Sequence, residues 1–99
     1  MEKKMTIKEL FRKVENINKT KKELGLGDEE VQIEVEFGKC DEVTFSSFNQ
    51  LYAHVDMIYL EEYKEKFMNA ELVKEYNYFK MYFNSLGEQQ EVVVFIYNY

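Results

Sequence analysis

Two side chains in this sequence, Cys40 and His54, are of the types that carry out nucleophilic catalysis. A cysteine thiolate can attack an acyl group when a histidine base lies within hydrogen-bonding distance of it. Each is the single residue of its type in the chain. Cys40 falls in a segment expected to turn and His54 on a solvated position of a predicted helix, so no local pattern brings them together. We therefore predict that the protein is not an enzyme.

Metal and cofactor sites are not predicted either. Metal sites usually gather ligands at tight spacing, and the acidic segment GDEE at 27–30 lacks the alternating ligands of a calcium loop. The glycines of GLG at 25–27 follow a predicted helix, whereas a dinucleotide-binding motif follows a strand. Glu61 and Glu65, four residues apart, are typical of a solvated helix face. We expect no catalytic residues, no cofactor and no metal ligands.

The charge of the chain is unevenly distributed. The net charge is −6. Residues 1–22 carry eight basic and three acidic side chains, a balance of +5, whereas residues 23–99 carry five basic and sixteen acidic ones, a balance of −11. Such an asymmetry suggests a charged partner. The alternative is that the two parts complement each other within one fold.

The acidic residues are the side chains that we expect to bind a partner. We predict one continuous negative surface, formed by Asp28, Glu29, Glu30, Glu34, Glu36, Asp56, Glu61, Glu62 and Glu65. Such a surface fits a protein partner with a basic groove, including one that normally holds nucleic acid. Complementary charge speeds capture of such a partner and selects against others. Ordinary solubility charge is the alternative interpretation.

The basic first segment supports a second hypothesis, a nucleic-acid binder. Lys8, Arg12, Lys19 and Lys22 could contact phosphates if their helix projected from the body of the protein. The acidic remainder of the chain would repel nucleic acid at long range. We therefore do not expect direct binding to nucleic acid.

Apolar periodicity predicts the elements that position these side chains. A capping box of Thr6 and Glu9 begins an amphipathic helix, which the glycines of ELGLGDEE end. Alternation over 31–37 predicts a strand whose wet face is acidic, and a short returning strand follows over 43–45. The segment 47–69 has a helical pattern, as one long helix or as two that break near Leu60.

The C-terminal part adds two strands, joined by the loop NSLGEQQ. We predict an α+β fold in the order α-β-β-α-β-β, with an antiparallel sheet of about four strands and two or three packed helices. The whole chain, residues 1–99, is expected to form a single domain. A three-stranded first sheet and two separate hairpins are the alternative arrangements of the strands.

Aromatic residues crowd the C-terminal strands. Alternation places five rings on the face opposite Phe79, Met81 and Phe83, and these are our candidates for self-association: Tyr76, Tyr78, Tyr82, Phe95 and Tyr97. Three arrangements would account for such a face. The chain's own helix or long central segment covers it, it joins a second copy or another protein, or its rings stack on nucleic-acid bases. Lys80 is the one basic residue interleaved with the rings, which disfavours base stacking.

In size, acidity and element order the chain resembles anti-CRISPR proteins, which are small proteins of phages and mobile elements. The segments that carry the resemblance are GDEEVQIEVEF at 27–37 and DMIYLEEYKEKF at 56–67. Some anti-CRISPR proteins imitate nucleic acid to block a CRISPR effector nuclease. The resemblance implies a non-enzymatic inhibitor that binds such a nuclease, and it carries over no functional residues.

The composition bears on the compartment. No apolar run approaches the roughly 20 residues that span a bilayer, and the charged opening MEKKMTIKEL is not a secretory signal. A single cysteine cannot form an internal disulfide. We expect a cytoplasmic protein that does not bind membranes.

Overall fold

A computed structural model describes residues 5–26, 29–38 and 42–98. Within these residues the chain forms three helices and six strands. They follow the order β1 (Met5–Thr6), α1 (Ile7–Leu24), β2 (Gln32–Phe37), β3 (Glu42–Phe45), α2 (Phe48–Ile58), α3 (Glu61–Asn69), β4 (Glu71–Lys74), β5 (Phe79–Ser85) and β6 (Glu88–Tyr97). The strands form one antiparallel sheet in the order β1-β4-β5-β6-β2-β3. The predicted α+β class is confirmed.

The sheet has six strands where about four were predicted. The two additional strands, β1 and β4, pair with each other, Met5 opposite Leu72 and Thr6 opposite Glu71. Neither strand shows an alternation of buried and exposed residues from which the sequence could predict it. β1 is two residues long and ends at Thr6, the residue that also caps α1. Of the four residues of β4 only Leu72 is half-buried, so no alternation marks this strand.

The first helix begins and ends as predicted. The Thr6 hydroxyl accepts a hydrogen bond from the backbone N–H of Glu9, while the Glu9 carboxylate accepts one from the backbone N–H of Thr6. Gly25 adopts the left-handed conformation at the C-terminus, with φ of 65°, which glycine tolerates because it has no Cβ. The second glycine of the predicted stop, Gly27, lies outside the described residues.

The central helical pattern divides into two helices. Tyr59 takes an extended conformation with φ of −120° and ψ of 143°, and Leu60, the residue before α3, provides no side-chain cap for that helix. Neither glycine nor proline causes this break. The Tyr59 ring instead packs against Phe67 of α3 and Phe83 of β5, with centroid distances of 5.8 and 5.4 Å. Tertiary packing of one aromatic ring therefore accompanies a break that local propensity does not specify.

The hairpin between β5 and β6 is tighter than the predicted seven-residue loop. Its turn is Leu86–Gly87, with φ of 53° and 78°, and Ser85 pairs with Glu88 directly beside it. Two consecutive residues at positive φ fit the right-handed twist of the flanking strands. The polar residues at 84 and 88–90 belong to the strands. Their side chains are typical of a loop, which is why the sequence predicted a loop there.

The three helices cover one face of the sheet. The buried core joins four residues of α1 to the helices α2 and α3 and to inward residues of the central strands: Ile7, Leu10, Phe11, Val14, Leu51, Val55, Phe67, Ile33, Val35, Met81, Phe83, Val92 and Val94. Successive strand residues point to opposite faces. The residues that alternate with this core therefore lie on a face without a helix, and Tyr82 and Tyr97 on it are 42% and 45% exposed. Among the described residues, neither the basic helix nor the central segment covers the aromatic face.

Candidate functional site

The open face of the sheet joins acidic and aromatic residues that the sequence separates widely. β2 lies beside β6, and the register places Glu34 opposite Phe95, Glu36 opposite Val93 and Gln32 opposite Tyr97. The acidic wet face predicted for β2 is thus continuous with the ring-rich face predicted for the C-terminal strands. One surface carries both features.

Three carboxylates gather on the β2–β3 side of this face. Glu34, Glu36 and Glu42 each have a carboxylate oxygen within 4.8 Å of the others, and Glu36 lies directly opposite Glu42. Desolvation raises the pKa of Glu36 above its ordinary value, and repulsion from Glu42 and Glu34 raises it further. We call these three residues the glutamate triad. Glu42 was missed because the sequence places it in a turn, whereas the structure begins β3 there.

The triad is of interest as a cation-binding group, since carboxylate oxygens are the ligands that hard divalent cations prefer. Among the described residues it is the group whose ligand atoms lie close enough together for a metal. Exposed carboxylates also gather without any ion, and no further feature of the face points to one. The chemistry that the triad offers by itself is attraction of positive charge.

A row of rings continues the face from the triad. The Tyr97 hydroxyl donates a hydrogen bond to Glu34 over 3.0 Å. This bond, together with burial and nearby carboxylates, raises the pKa of Tyr97. Phe95 contacts Tyr97 on one side and Tyr78 on the other, with centroid distances of 6.5 and 5.6 Å. We call Tyr78, Phe95 and Tyr97 the ring row.

The far side of the face is less acidic. Lys80 lies over the Tyr78 ring at 5.8 Å from its centroid, and its ammonium group is 3.9 Å from Glu91. The negative charge of Glu91 raises the pKa of Lys80. Tyr82 lies on the same strand opposite Glu91. The fifth predicted ring, Tyr76, is 96% exposed in the connection before β5 and does not belong to the sheet face.

The other predicted acidic residues do not join the triad. Glu29 and Glu30 are exposed before β2, and Asp28 lies outside the described residues. Four more lie on the helix layer, on the opposite side of the sheet: Asp56, Glu61, Glu62 and Glu65. The sheet therefore divides the predicted continuous surface into two. This division could not be read from the sequence because it depends on which face of the sheet the helices cover.

Part of the helix-layer acidity is neutralised locally. Lys64 is buried, and its ammonium group contacts Asp56 at 2.8 Å and Glu61 at 3.1 Å. It also lies 4.9 Å from the centre of the Tyr52 ring. The hydrogen bonds to these carboxylates raise the pKa of Lys64. Asp56 and Glu61 thus each face a lysine, although their side chains are 58% and 80% exposed, whereas no ion pair to the triad is found among the described residues.

The described residues that were considered for catalysis and for nucleic-acid binding lie in the helix layer and not on the open face of the sheet. Cys40 lies outside the described residues. His54 is half-buried rather than solvated, with its ring 5.2 Å from Phe37 and 5.6 Å from Phe45. The basic side chains Lys8, Arg12, Lys19 and Lys22 are exposed. However, α1 lies on the sheet through Ile7, Leu10, Phe11 and Val14 and does not project from the body.

The crowding of the triad predicts a pH-dependent gain in stability from Glu36→Gln. The raised pKa means that the folded state binds a proton on Glu36 more tightly than the unfolded chain does. This contribution to stability is present below the ordinary pKa of 4.5 and is lost as the pH rises through the raised value. Like charges directly opposite each other on neighbouring strands destabilise by about 0.5 kcal/mol. At neutral pH we therefore expect Glu36→Gln to raise the melting temperature by about 3 °C.

Thermal unfolding followed by circular dichroism checks this prediction. The gain should disappear below the ordinary pKa of a glutamate, where Glu36 is protonated in both states. Glu88→Gln is the matched control, because Glu88 is exposed and lies opposite Ser85 rather than a carboxylate. An equal gain for both variants, or a gain for Glu36→Gln that persists in acid, would contradict the proposed repulsion.

Comparisons of the chain with protein-family models, curated proteins and solved structures find no match. In the part of the chain that the structure describes, no helix combines the length and apolar character needed to cross a membrane. The open face is therefore interpreted from its own geometry and charge.

Proposed function

We propose that this protein is a non-enzymatic interaction module that binds a basic segment of another protein on the open face of its sheet. The observation that carries the proposal is the adjacency of the glutamate triad to the ring row, with Glu34 hydrogen-bonded to Tyr97. The triad supplies negative charge and the rings supply apolar contact area. Glu42 and Tyr97 are exposed and the other four residues half-exposed, on a face that no described helix covers.

The chemistry of the face favours arginine over lysine. A guanidinium group can bind a carboxylate through two parallel hydrogen bonds, and it can also stack on an aromatic face. Lysine offers a compact charge without the planar fork. At this face both interactions lie side by side, because Phe95 is opposite Glu34 in the register. An arginine-rich segment can therefore use the triad and the ring row together.

The same chemistry supports the resemblance to anti-CRISPR proteins as a proposal about the biological partner. A nuclease that holds nucleic acid does so with a basic groove, and a negatively charged protein face can compete for it. The acidic body of the chain, with a balance of −11 over residues 23–99, favours capture of such a groove at long range. In this role the protein would inhibit by occupying the groove, without any reaction.

Isothermal titration of the full chain with decaarginine and decalysine tests the module. We expect both peptides to bind at about 50 mM salt and to weaken at about 200 mM, since exposed charges are screened. Decaarginine should bind several-fold more tightly because cation–π contact adds about 0.5–1 kcal/mol at exposed sites. Absence of binding at the lower salt would contradict the proposal. Equal affinities would contradict the role of the ring row.

Inhibition of purified RNA-guided nucleases tests the proposed partner class. The protein should block DNA cleavage when it is added before the target DNA, and it should act weakly when it is added afterwards. The opposite order dependence would exclude competition for the groove. Light scattering on the free protein accompanies the assay, because a stable dimer formed through the open face would leave no surface for the nuclease. Self-association would then replace capture of a basic partner as the function of the face.

A further inference from the structure

A groove separate from the glutamate triad lies between α1 and the β4 side of the sheet. Its volume is about 960 Å³, at the upper end of the range for small-molecule sites. It is open to solvent along one side and lies on the helix-covered face, because Leu10 and Val14 of α1 form part of its wall. No residue of the triad lines it.

The floor of the groove is apolar and largely aliphatic. Leu10 and Val14 are buried in the core, and they are joined by three half-buried side chains from the strands: Leu72, Phe79 and Ile96. Ile17, one turn further along α1, extends this floor and is itself only half-buried. Apolar surface left half-covered in a concave site gains free energy when an apolar ligand displaces its water.

The rim of the groove carries two lysines. Lys13 lies on the α1 wall and Lys74 on the β4 wall, and both are exposed. Neither forms a salt bridge or a side-chain hydrogen bond to another described residue, unlike Lys64 and Lys80. Glu71 also lines the groove and takes part in an interaction of its own, so the charged lining residues are two lysines and one glutamate, with a balance of +1. Unpaired positive charge thus lies beside an apolar floor in a chain whose net charge is −6.

We propose that this groove binds a single-chain aliphatic carboxylate, with the alkyl chain on the floor and the carboxylate at the lysine rim. Aliphatic side chains outnumber the rings of Tyr76, Tyr78 and Phe79 in the lining, which favours a flexible alkyl chain over a flat aromatic ligand. The ammonium groups of Lys13 and Lys74 select an anionic head group over a neutral or cationic one. Long lysine side chains can follow a bound head group because their charge is carried on a flexible stem.

Titration of the ¹⁵N-labelled protein with sodium dodecanoate, kept below its micelle-forming concentration, tests the site by NMR. Dodecyltrimethylammonium carries the same chain with the opposite charge, and acetate carries the same head group without the chain. We expect dodecanoate to shift amide signals around Leu10, Ile17, Leu72 and Phe79, with at least about tenfold weaker binding of either comparison ligand. Equal binding of the cationic surfactant, or shifts spread over the whole protein, would overturn the proposal.

Charge-reversal variants separate the rim from general electrostatics. Lys13→Glu with Lys74→Glu should lower dodecanoate affinity about tenfold or more. The control pair, Lys19→Glu with Lys22→Glu, changes the net charge equally at exposed positions of α1 that do not line the groove. It should retain the affinity of the unmodified protein to within about twofold. Equal losses in the two double variants would show that the head group responds to total charge and not to this rim.

The groove and the open face can be tested independently. They meet at Tyr78, which lines the groove and also contacts Phe95 in the ring row. Replacing the glutamate triad by glutamine should leave dodecanoate binding unchanged, because the triad lies on β2 and β3 and the groove on the β4 side of the sheet. Loss of dodecanoate binding in that variant would contradict a separate site at the groove.

Discussion

Replacing Glu34, Glu36 and Glu42 together by lysine is expected to weaken decaarginine binding roughly 100-fold at low salt. Exposed charge pairs contribute up to about 1 kcal/mol each, and loss of three such pairs corresponds to about two decades in affinity. The substituted ammonium groups would also repel the peptide. The three carboxylates lie within 4.8 Å of one another, so their removal eliminates the densest negative charge on the open face. Isothermal titration measures the change.

A control variant separates the site from bulk charge. Glu29, Glu62 and Glu65 are exposed and lie outside the open face, and their replacement by lysine has the same effect on net charge. In both triple variants the charge changes from −6 by +6 to zero. We expect the control to bind decaarginine within about threefold of the unmodified protein, because distant charges are screened. If both variants lose affinity equally, the acidity acts as a whole and the open face is not the binding site.

The folded state of the triad variant has to be established in the same experiment. Three neighbouring lysines would repel one another much as the glutamates do, so we expect little change in melting temperature. Substitution of the triad by glutamine removes the charge without creating new repulsion and supplies a second variant. Glutamine at these positions should raise stability and still weaken decaarginine binding. Retained binding in the glutamine variant would contradict the electrostatic role of the triad.

Part of the open face can be predicted from the local alternation of residues in the sequence. Alternation over 31–37 correctly places Glu34 and Glu36 on a face opposite Ile33 and Val35, because the period of a strand is fixed by its geometry. The same rule correctly groups Tyr82, Phe95 and Tyr97, but it is wrong for Tyr76, which precedes β5 and does not belong to the sheet face. Glu42 escapes it because the segment 38–42 was predicted as a turn, so the strand predicted over 43–45 begins one residue after the start of β3. The boundary of this strand, rather than its alternation, therefore hid the third carboxylate.

The other part of the open face is set by strand order. β2 pairs with β6, which is distant along the chain, and this pairing alone brings Glu34 beside Phe95 and Tyr97. The location of the helices decides the rest. Because α1 packs on the face formed by Ile33 and Val35, the aromatic face remains open. Neither the pairing of β2 with β6 nor the location of the helices is encoded in a local period. Both depend on which apolar surfaces complement each other in the folded chain.

Replacing Asn18 by alanine is expected to cause one of the largest losses of stability for a polar substitution in this fold. The Asn18 amide donates to the carbonyl oxygen of Val31 over 2.9 Å and accepts from the backbone N–H of Val31 over 2.7 Å. Val31 is fully buried where the chain enters β2. The substitution leaves both of its backbone groups without these partners. An unsatisfied buried group costs about 1–3 kcal/mol.

We therefore expect Asn18→Ala to destabilise the protein by about 3 kcal/mol, which lowers the melting temperature by roughly 15 °C for a domain of this size. Asn16→Ala is the matched control, because Asn16 lies on the same helix with an exposed side chain. Alanine favours a helix more than asparagine does, so the control should melt unchanged or slightly higher. Asn18→Asp keeps the acceptor oxygen and loses the donor, and it should fall between the two. Equal melting temperatures for the alanine variants at 16 and 18 would show that the link between α1 and β2 contributes nothing. The apolar core alone would then hold the start of β2 beside α1.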